Sequence, residues 1–217
     1  MAKIISGKEA AALVKPGSSL MLSGFLVVGA PVYLIDCLVE NGVDSLHVVT
    51  ISTDYDNKGV GCLITSKQIE SLQVSHIGTN RTTQKQYKNK EISIEFVPQG
   101  ILVERIRTAG AGLGGFYSPV GVGTTVAEGK ETLEENGKIY ILERPILADV
   151  AFISAKKADK LGNLVYRRTA RNSNPSMAMG ATITVAEVDE IVEPGEISPE
   201  RVGTPGVFVD YLVKKGA

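Results

Sequence analysis

The chain has 217 residues, enough for one domain over residues 1–217 with a substantial core. Its 23 Lys and Arg are balanced by 24 Asp and Glu, which argues against nucleic acid or an anionic membrane as a partner. Cys37 and Cys62 are too few for a disulfide framework or a zinc site and read as small buried hydrophobes of a reducing compartment. No apolar run is long enough to span a bilayer and the first residues lack the core of a signal peptide, so a cytoplasmic location is expected.

In chain order, Ser6 and Glu9 have capping-box spacing and predict a helix over 7–14, ended by Pro16-Gly17. The apolar run 20–22 reads as a strand buried on both faces. Pro31 opens a helix carrying Val32, Ile35, Leu38 and Val39, which Asn41-Gly42 stops. A strand is expected at 46–51, then a polar loop over 52–62. Strands at 72–75 and 92–97 flank a polar stretch from 78 to 91, and the second should have one less-buried face. Residues 100–108 have helical spacing, and the glycine-rich connector 109–123 has little helix or strand character. Further strands are predicted at 138–143, 149–155, 164–166, 181–187 and 207–213, with a short helix over 175–179. This alternation predicts a three-layer α/β/α domain with a mainly parallel sheet.

Two glycine-bearing segments follow strand-like runs, which is where open α/β sheets bind ligands. The first is Ser23-Gly24-Phe25-Leu26-Val27-Val28-Gly29-Ala30-Pro31. The second is Pro98-Gln99-Gly100, continuing to Gly110–Gly115. Glycine permits close backbone approach, and unpaired N–H groups there can receive an anion or a developing oxyanion. Four apolar residues between Gly24 and Gly29 exceed what a change of direction needs. They suit a long, partly apolar, phosphate-bearing ligand such as coenzyme A.

Other motifs read as structural. Gly110-x-Gly112-x-x-Gly115 follows a helix-like segment rather than a strand, which defeats a dinucleotide reading. His47 and His76 have no partners at metal spacing and are expected to be hydrogen-bonded structural residues. Asp54 and Asp56 fit a polar turn better than a metal site. Arg167, Arg168 and Arg171 fit a solvated patch better than an anion site.

The stretch Leu20 to Pro31 resembles the signature of family I coenzyme A-transferases: a hydrophobic triplet, G-G-F, three residues, G, one residue, P. Ser23 stands at the first glycine, and Pro16-Gly17 at an acidic-or-Asn-Gly start. The similarity continues in order through Ser75–Asn80, Pro98–Arg107, Gly110–Gly115, Leu142–Pro145, Ala170–Pro175 and Thr204–Gly206. It is strongest to the alpha subunits of the acetate or butyrate–acetoacetate enzymes.

The resemblance implies ping-pong transfer of CoA between a short-chain acyl-CoA and a carboxylic acid such as acetoacetate. The glutamate nucleophile would lie on a beta subunit, in an α2β2-type assembly. It implies CoA contact by Ser23, Gly24, Phe25, Leu26, Val27, Val28 and Gly29, and thioester polarisation by Gln99. Gly100, Gly112, Gly114 and Gly115 would shape the acyl pocket or a subunit contact. Glu104 and Glu143 read as structural. No cofactor is expected beyond the CoA ester that is the substrate, and neither nucleic acid nor membrane is a partner. A non-catalytic sensing domain of the same general fold, binding a CoA ester or a sugar phosphate, is the alternative.

Overall fold

The structure is a computed structural model and describes residues 1–216. Short apolar runs form parallel strands buried on both faces. Leu20 and Leu22 of β2 (Ser19–Leu22) point to one layer and Met21 to the other, all fully buried. The same alternation runs through β3 (Leu46–Ser52), with Val48 on the first side and Val49 on the second. It recurs in β9 (Ala148–Asp159), where Val150 and Phe152 oppose Ala151 and Ile153.

These strands belong to a sheet of order β1-β12-β11-β9-β2-β3-β4-β5, completed by β1 (Lys3–Ile4), β4 (Ile69–His76), β5 (Ser93–Phe96), β11 (Ala181–Val192) and β12 (Tyr211–Lys214). All of these pairings are parallel; β10 (Leu164–Val165) adds antiparallel to the end of β9. One face is covered by α1 (Gly7–Ala11), α2 (Val32–Asn41), α3 (Val60–Thr65) and α4 (Arg81–Lys88). The other carries α5 (Gln99–Gly110) and α6 (Asn174–Met179). The three-layer α/β/α arrangement is thus as the sequence predicts.

The local signals act as read at the start of the first helix and at the end of the second. Ser6 accepts from the Glu9 N–H while Glu9 accepts from the Ser6 N–H, and Gly42 closes α2 in the left-handed region. Several expectations need correction. Helix α1 stops at Ala11 rather than residue 14. The expected loop 52–62 already contains the start of α3, and the polar stretch 78–91 holds α4. Helix α4 is anchored without an apolar stripe: the Asn80 side chain accepts from the Thr83 N–H, and Thr83 and Gln86 are buried. The expected strand 207–213 is a 3-10 turn, Gly206–Phe208, followed by β12.

The connector 109–123 is also more ordered than predicted. It contains β6 (Phe116–Ser118), which pairs with β8 (Lys138–Glu143) and through it with β7 (Thr132–Glu135) in a small antiparallel sheet. Glu143 is fully buried beneath this sheet. Its Oε1 accepts from Lys130 Nζ at 2.6 Å, and among the described residues its Oε2 has only the Arg105 guanidinium, at 3.9 Å. Arg105 in turn donates to Glu95 and to the Arg144 carbonyl, which joins α5, β5 and the small sheet. Glu104 pairs with Arg107 at the surface. A buried carboxylate that loses one of two cations keeps its desolvation cost, so Lys130→Met should destabilise the chain by about 3 kcal/mol in chemical denaturation.

Candidate functional site

The sheet order sets where a crevice can form. From β2 the chain winds outward through β3, β4 and β5 by way of α2, α3 and α4. From β9 it winds the opposite way through β11 and β12 by way of α6. β2 and β9 are neighbours, so the connections leaving their carboxyl ends diverge to opposite faces and open a crevice. A cavity of about 330 Å³ lies there. Val27, Gly29 and Ala30 wall it on the β2 side and Ser154, Ala155 and Lys156 on the β9 side.

The wall formed by Ser23–Gly29 is a strained turn. Phe25 and Val28 exchange backbone hydrogen bonds of 3.1 and 3.0 Å, as in a two-residue hairpin, leaving Leu26 and Val27 at its tip. Their φ values are 49° and 71°. That is the geometry for which Asn-Gly is the usual choice, and each non-glycine residue there costs about 1–3 kcal/mol, a β-branched one most of all. The surrounding protein holds the strain. Asp54, only 2% exposed, accepts from the Val27 N–H at 3.0 Å and the Ser52 hydroxyl at 3.0 Å through Oδ1, and from the Val60 N–H at 3.1 Å through Oδ2. The Leu26 N–H reaches the Ser52 hydroxyl at 3.3 Å. From the far side, Asn172 donates to the Val28 carbonyl at 2.7 Å and Asn174 to the Gly29 carbonyl at 3.1 Å.

The turn does not present the freely available row of amides that its sequence suggests. Phe25, Leu26, Val27, Val28 and Ala30 spend their N–H groups inside the protein, and Ser23 donates to the Phe152 carbonyl. Among the described residues, only Gly24 and Gly29 of this segment have N–H groups with no protein acceptor. Both glycines are also required by the protein's own packing. Gly24 has φ +111° and a Cβ there would lie 2.8 Å from the Ala30 Cα; Gly29 has φ +74° and its Cβ would press on the Ala170 carbonyl and Asn172.

The second segment reaches the same edge of the sheet. Gln99 is the first residue of α5, exposed, after β5 and Pro98. Three strand spacings of about 4.8 Å, roughly 14 Å, separate the ends of β5 and β2. The ends of β3 and β4 fill the gap. There His76 tilts its ring against Phe25, with centroids 6.2 Å apart, and among the described residues its buried Nδ1 has no hydrogen-bond partner; nor has the buried Thr53 hydroxyl. His76 is therefore not the hydrogen-bonded residue expected, whereas His47 is, through Ser71 at 2.8 Å. Gly100, Gly112 and Gly114 face open space on the outside of α5 and its exit, and Gly115 packs on the Glu143 carbonyl.

The sequence makes Asp54 a turn residue; its role as a clamp is invisible there because its partners lie at 27, 52 and 60. Asp56 caps α4 by accepting from the Thr82 N–H at 2.8 Å. Among the described residues, no group of three or more His, Cys, Asp or Glu could hold a metal ion. Cys37 is buried as expected, while Cys62 is only half-buried.

A second carboxylate, on β11, supports the helix that follows the loop. Pro31 offers α2 no side-chain cap, and the buried Glu187 supplies one by accepting from the Leu34 N–H at 3.0 Å. Burial pushes the Glu187 carboxyl up to about 7, against the backbone N–H of Leu34 and the charge of Lys215, which lower it; Asp189 adds a smaller upward push. Its folded pKa therefore exceeds the ordinary 4.5. The protonated form is favoured by folding, so this contribution is complete below about pH 4.5 and is lost as pH rises through about 7. Over that window it amounts to on the order of 3 kcal/mol. Glu187→Gln keeps an acceptor for Leu34 and should flatten the fall in stability between these pH values, measured by denaturation at a series of pH values.

Comparisons with known proteins place this chain in a family. The family described as Coenzyme A transferase matches residues 4–215. The A subunit of a probable succinyl-CoA:3-ketoacid coenzyme A transferase of Bacillus subtilis is 46% identical over 98% of this chain and 90% of its own length. The alpha subunit of the acetate CoA-transferase of Escherichia coli is 43% identical over 97% of this chain and 96% of its own. Among solved structures, glutaconate coenzyme A-transferase from Acidaminococcus fermentans superposes with a TM-score of 0.86 at 20% identity, over 98% of this chain and 75% of that one. The acyl-CoA transferase YdiF of Escherichia coli O157:H7 gives 0.87 at 20% identity, and there the chain spans about half of the matched protein, 47%. By sequence and by fold, the chain belongs to the coenzyme A transferase family.

Proposed function

We propose that this chain is the alpha subunit of a hetero-oligomeric CoA-transferase that moves CoA between a short-chain acyl-CoA and a carboxylic acid such as acetoacetate. The observation that carries the reading is the strained turn Ser23–Gly29, held from two sides and forming a wall of the cavity between β2 and β9. An observed outlier held in place by its surroundings points to function more strongly than a flexible loop does. Relatives named as alpha subunits, among them that of the acetoacetyl-CoA:acetate/butyrate CoA transferase of Clostridium acetobutylicum at 41% identity, support the substrate class and the need for a beta subunit.

In this reading Ser23 to Gly29 contact the CoA ester. Phe25, Leu26, Val27 and Val28 supply an apolar wall, and the Gly24 and Gly29 N–H groups remain as donors. Gln99, at the start of α5 just beyond β5, polarises the thioester carbonyl. A side-chain amide at the start of a helix can meet the negative charge that develops on the oxygen, and it does so mainly in the transition state. Gly100, Gly112, Gly114 and Gly115 lie at the acyl pocket or at the contact with the beta subunit. The reaction proceeds through an acyl-glutamyl anhydride and then a glutamyl-CoA thioester on the beta subunit's glutamate. The thioester is already an activated acyl group, so neither a metal nor an organic cofactor is needed. The enzyme works in the cytoplasm.

Two outcomes test this division of labour. Incubation of the assembled enzyme with acyl-CoA and no acceptor acid, followed by borohydride reduction, should change the mass of one glutamate on the partner and leave the peptides of this chain unaltered. A label on Glu104 or Glu143 would overturn the assignment. Gln99→Ala should lower turnover by about 10²–10³, with a much smaller change in the Michaelis constant for acyl-CoA. Normal turnover would remove Gln99 from the chemistry.

A further inference from the structure

The crevice does not end at the Val27 wall. Lys156, Tyr166 and Arg167 line both it and a second cavity of about 540 Å³, which continues to Lys157, Arg168 and Arg201. The two are therefore adjoining compartments of one groove along the carboxyl edge of β9. The second compartment is strongly basic. Glu196 is the one carboxylate in its lining, and it already accepts from the Glu193 N–H at 3.0 Å. Lys156 and Lys157 are engaged by Asp189 and Glu190 of β11 at 2.9 and 3.0 Å. Among the described residues, Arg167, Arg168 and Arg201 have no carboxylate within ion-pair distance. Three unneutralised guanidiniums around one cavity repel one another unless an anion joins them, and their planar donor forks match phosphate oxygens.

Arg168 is held in the left-handed region, at φ 52°, on the 3-10 turn Arg168–Arg171. That turn is fixed from below. The Asn174 side chain accepts from the Ser154 N–H at 2.7 Å and donates to the Ala170 carbonyl at 2.9 Å. At the junction of the compartments, Tyr166 shares a 2.7 Å hydrogen bond with Thr204. Burial pushes its phenol up to about 12, so it stays neutral and adds no opposing charge.

We propose that this basic compartment binds the phosphate groups of the CoA thioester, with the arm of the ligand running past Val27 toward Gln99. The proposal rests on the CoA-transferase reading of the crevice and gives the ligand a direction. Phe96 at the end of β5 is level with Phe152 of β9, four strand spacings of about 4.8 Å or roughly 19 Å across the sheet, and Lys156 lies four residues further along β9. A ligand with its charge at one end and its reactive sulfur at the other bridges that separation. A compact sugar phosphate does not.

The test compares two thioesters of the same acyl group in the assembled enzyme: acyl-CoA and the phosphate-free N-acetylcysteamine thioester. In Arg167→Gln/Arg201→Gln, the preference for acyl-CoA, as the ratio of the two kcat/KM values, should fall at least tenfold, through KM. Arg201→Gln alone should show a smaller fall in the same direction and serves if the double variant does not assemble. An unchanged ratio overturns the proposal. Equal loss with both thioesters, accompanied by dissociation of the subunits in size-exclusion chromatography, also overturns it, and shows that the basic face docks on the partner subunit. If the unaltered assembly neither binds CoA in titration calorimetry nor turns over acyl-CoA, the transferase reading itself fails along with the proposal.

Discussion

The carboxylate of Asp54 is the interaction on which the rest of the crevice depends. A turn with Leu26 and Val27 in the left-handed region opens into a more comfortable conformation unless its inward-facing amides are held. Asp54 holds the Val27 N–H, orders Ser52 to meet the Leu26 N–H, and ties both to the first turn of α3 through Val60. Burial raises the Asp54 pKa, and the donors from Val27, Val60, Ser52 and Leu26 counter that shift. The same hydrogen bonds that restrain the turn therefore make a buried carboxylate tolerable. Each justifies the other energetically, and neither would persist alone.

The turn is also held from the opposite strand. β9 and its following segment bring Asn172 and Asn174 onto the Val28 and Gly29 carbonyls, and Glu187 of β11 caps the helix into which the turn feeds. The crevice is thus bounded by groups from both halves of the doubly wound sheet. Its shape is a property of the whole fold and not of one loop. It follows that its two walls carry different chemistry: apolar and conformationally fixed on the β2 side, cationic and solvent-facing on the β9 side. In the proposed reading those walls meet the arm and the phosphates of one ligand.

Features decided by near neighbours are legible in the sequence. Ser6 and Glu9 are three residues apart, Asn41-Gly42 stops its own helix, and Leu20-Met21-Leu22 reads as doubly buried without knowledge of its partners. Helix α4 is illegible because its anchors, Asn80, Thr83 and Gln86, bury polar side chains in place of an apolar stripe. β7 escapes notice because all four of its residues are exposed. The location of the glycine segments is evident, but the direction of their amides is not. Residues 52, 54 and 152 decide that direction, and only the fold brings them to residues 23–27. Arg167 and Arg168 read as a solvated patch for the same reason. Their exposure is foreseeable, whereas the cavity they share with Arg201 and Lys157 requires two further segments to be placed.

The choice of residues at the tip of the turn gives the last step. Asn-Gly would satisfy the same backbone at little strain, and Asp54 would still accept its amide. Placing Leu26 and Val27 there costs conformational energy that the protein's own packing does not demand, since both side chains remain half-buried. Val28 beside them is 49% exposed. Apolar groups kept at the mouth of a crevice in a strained backbone recover that cost only when something else covers them. A bound ligand lying along the Ser23–Gly29 wall, with the partner subunit closing over it, would provide that cover. The rigidity of the turn then has a purpose: a wall already held in its bound shape loses little entropy when the ligand arrives, so the binding energy is left for orienting the thioester toward the end of β5.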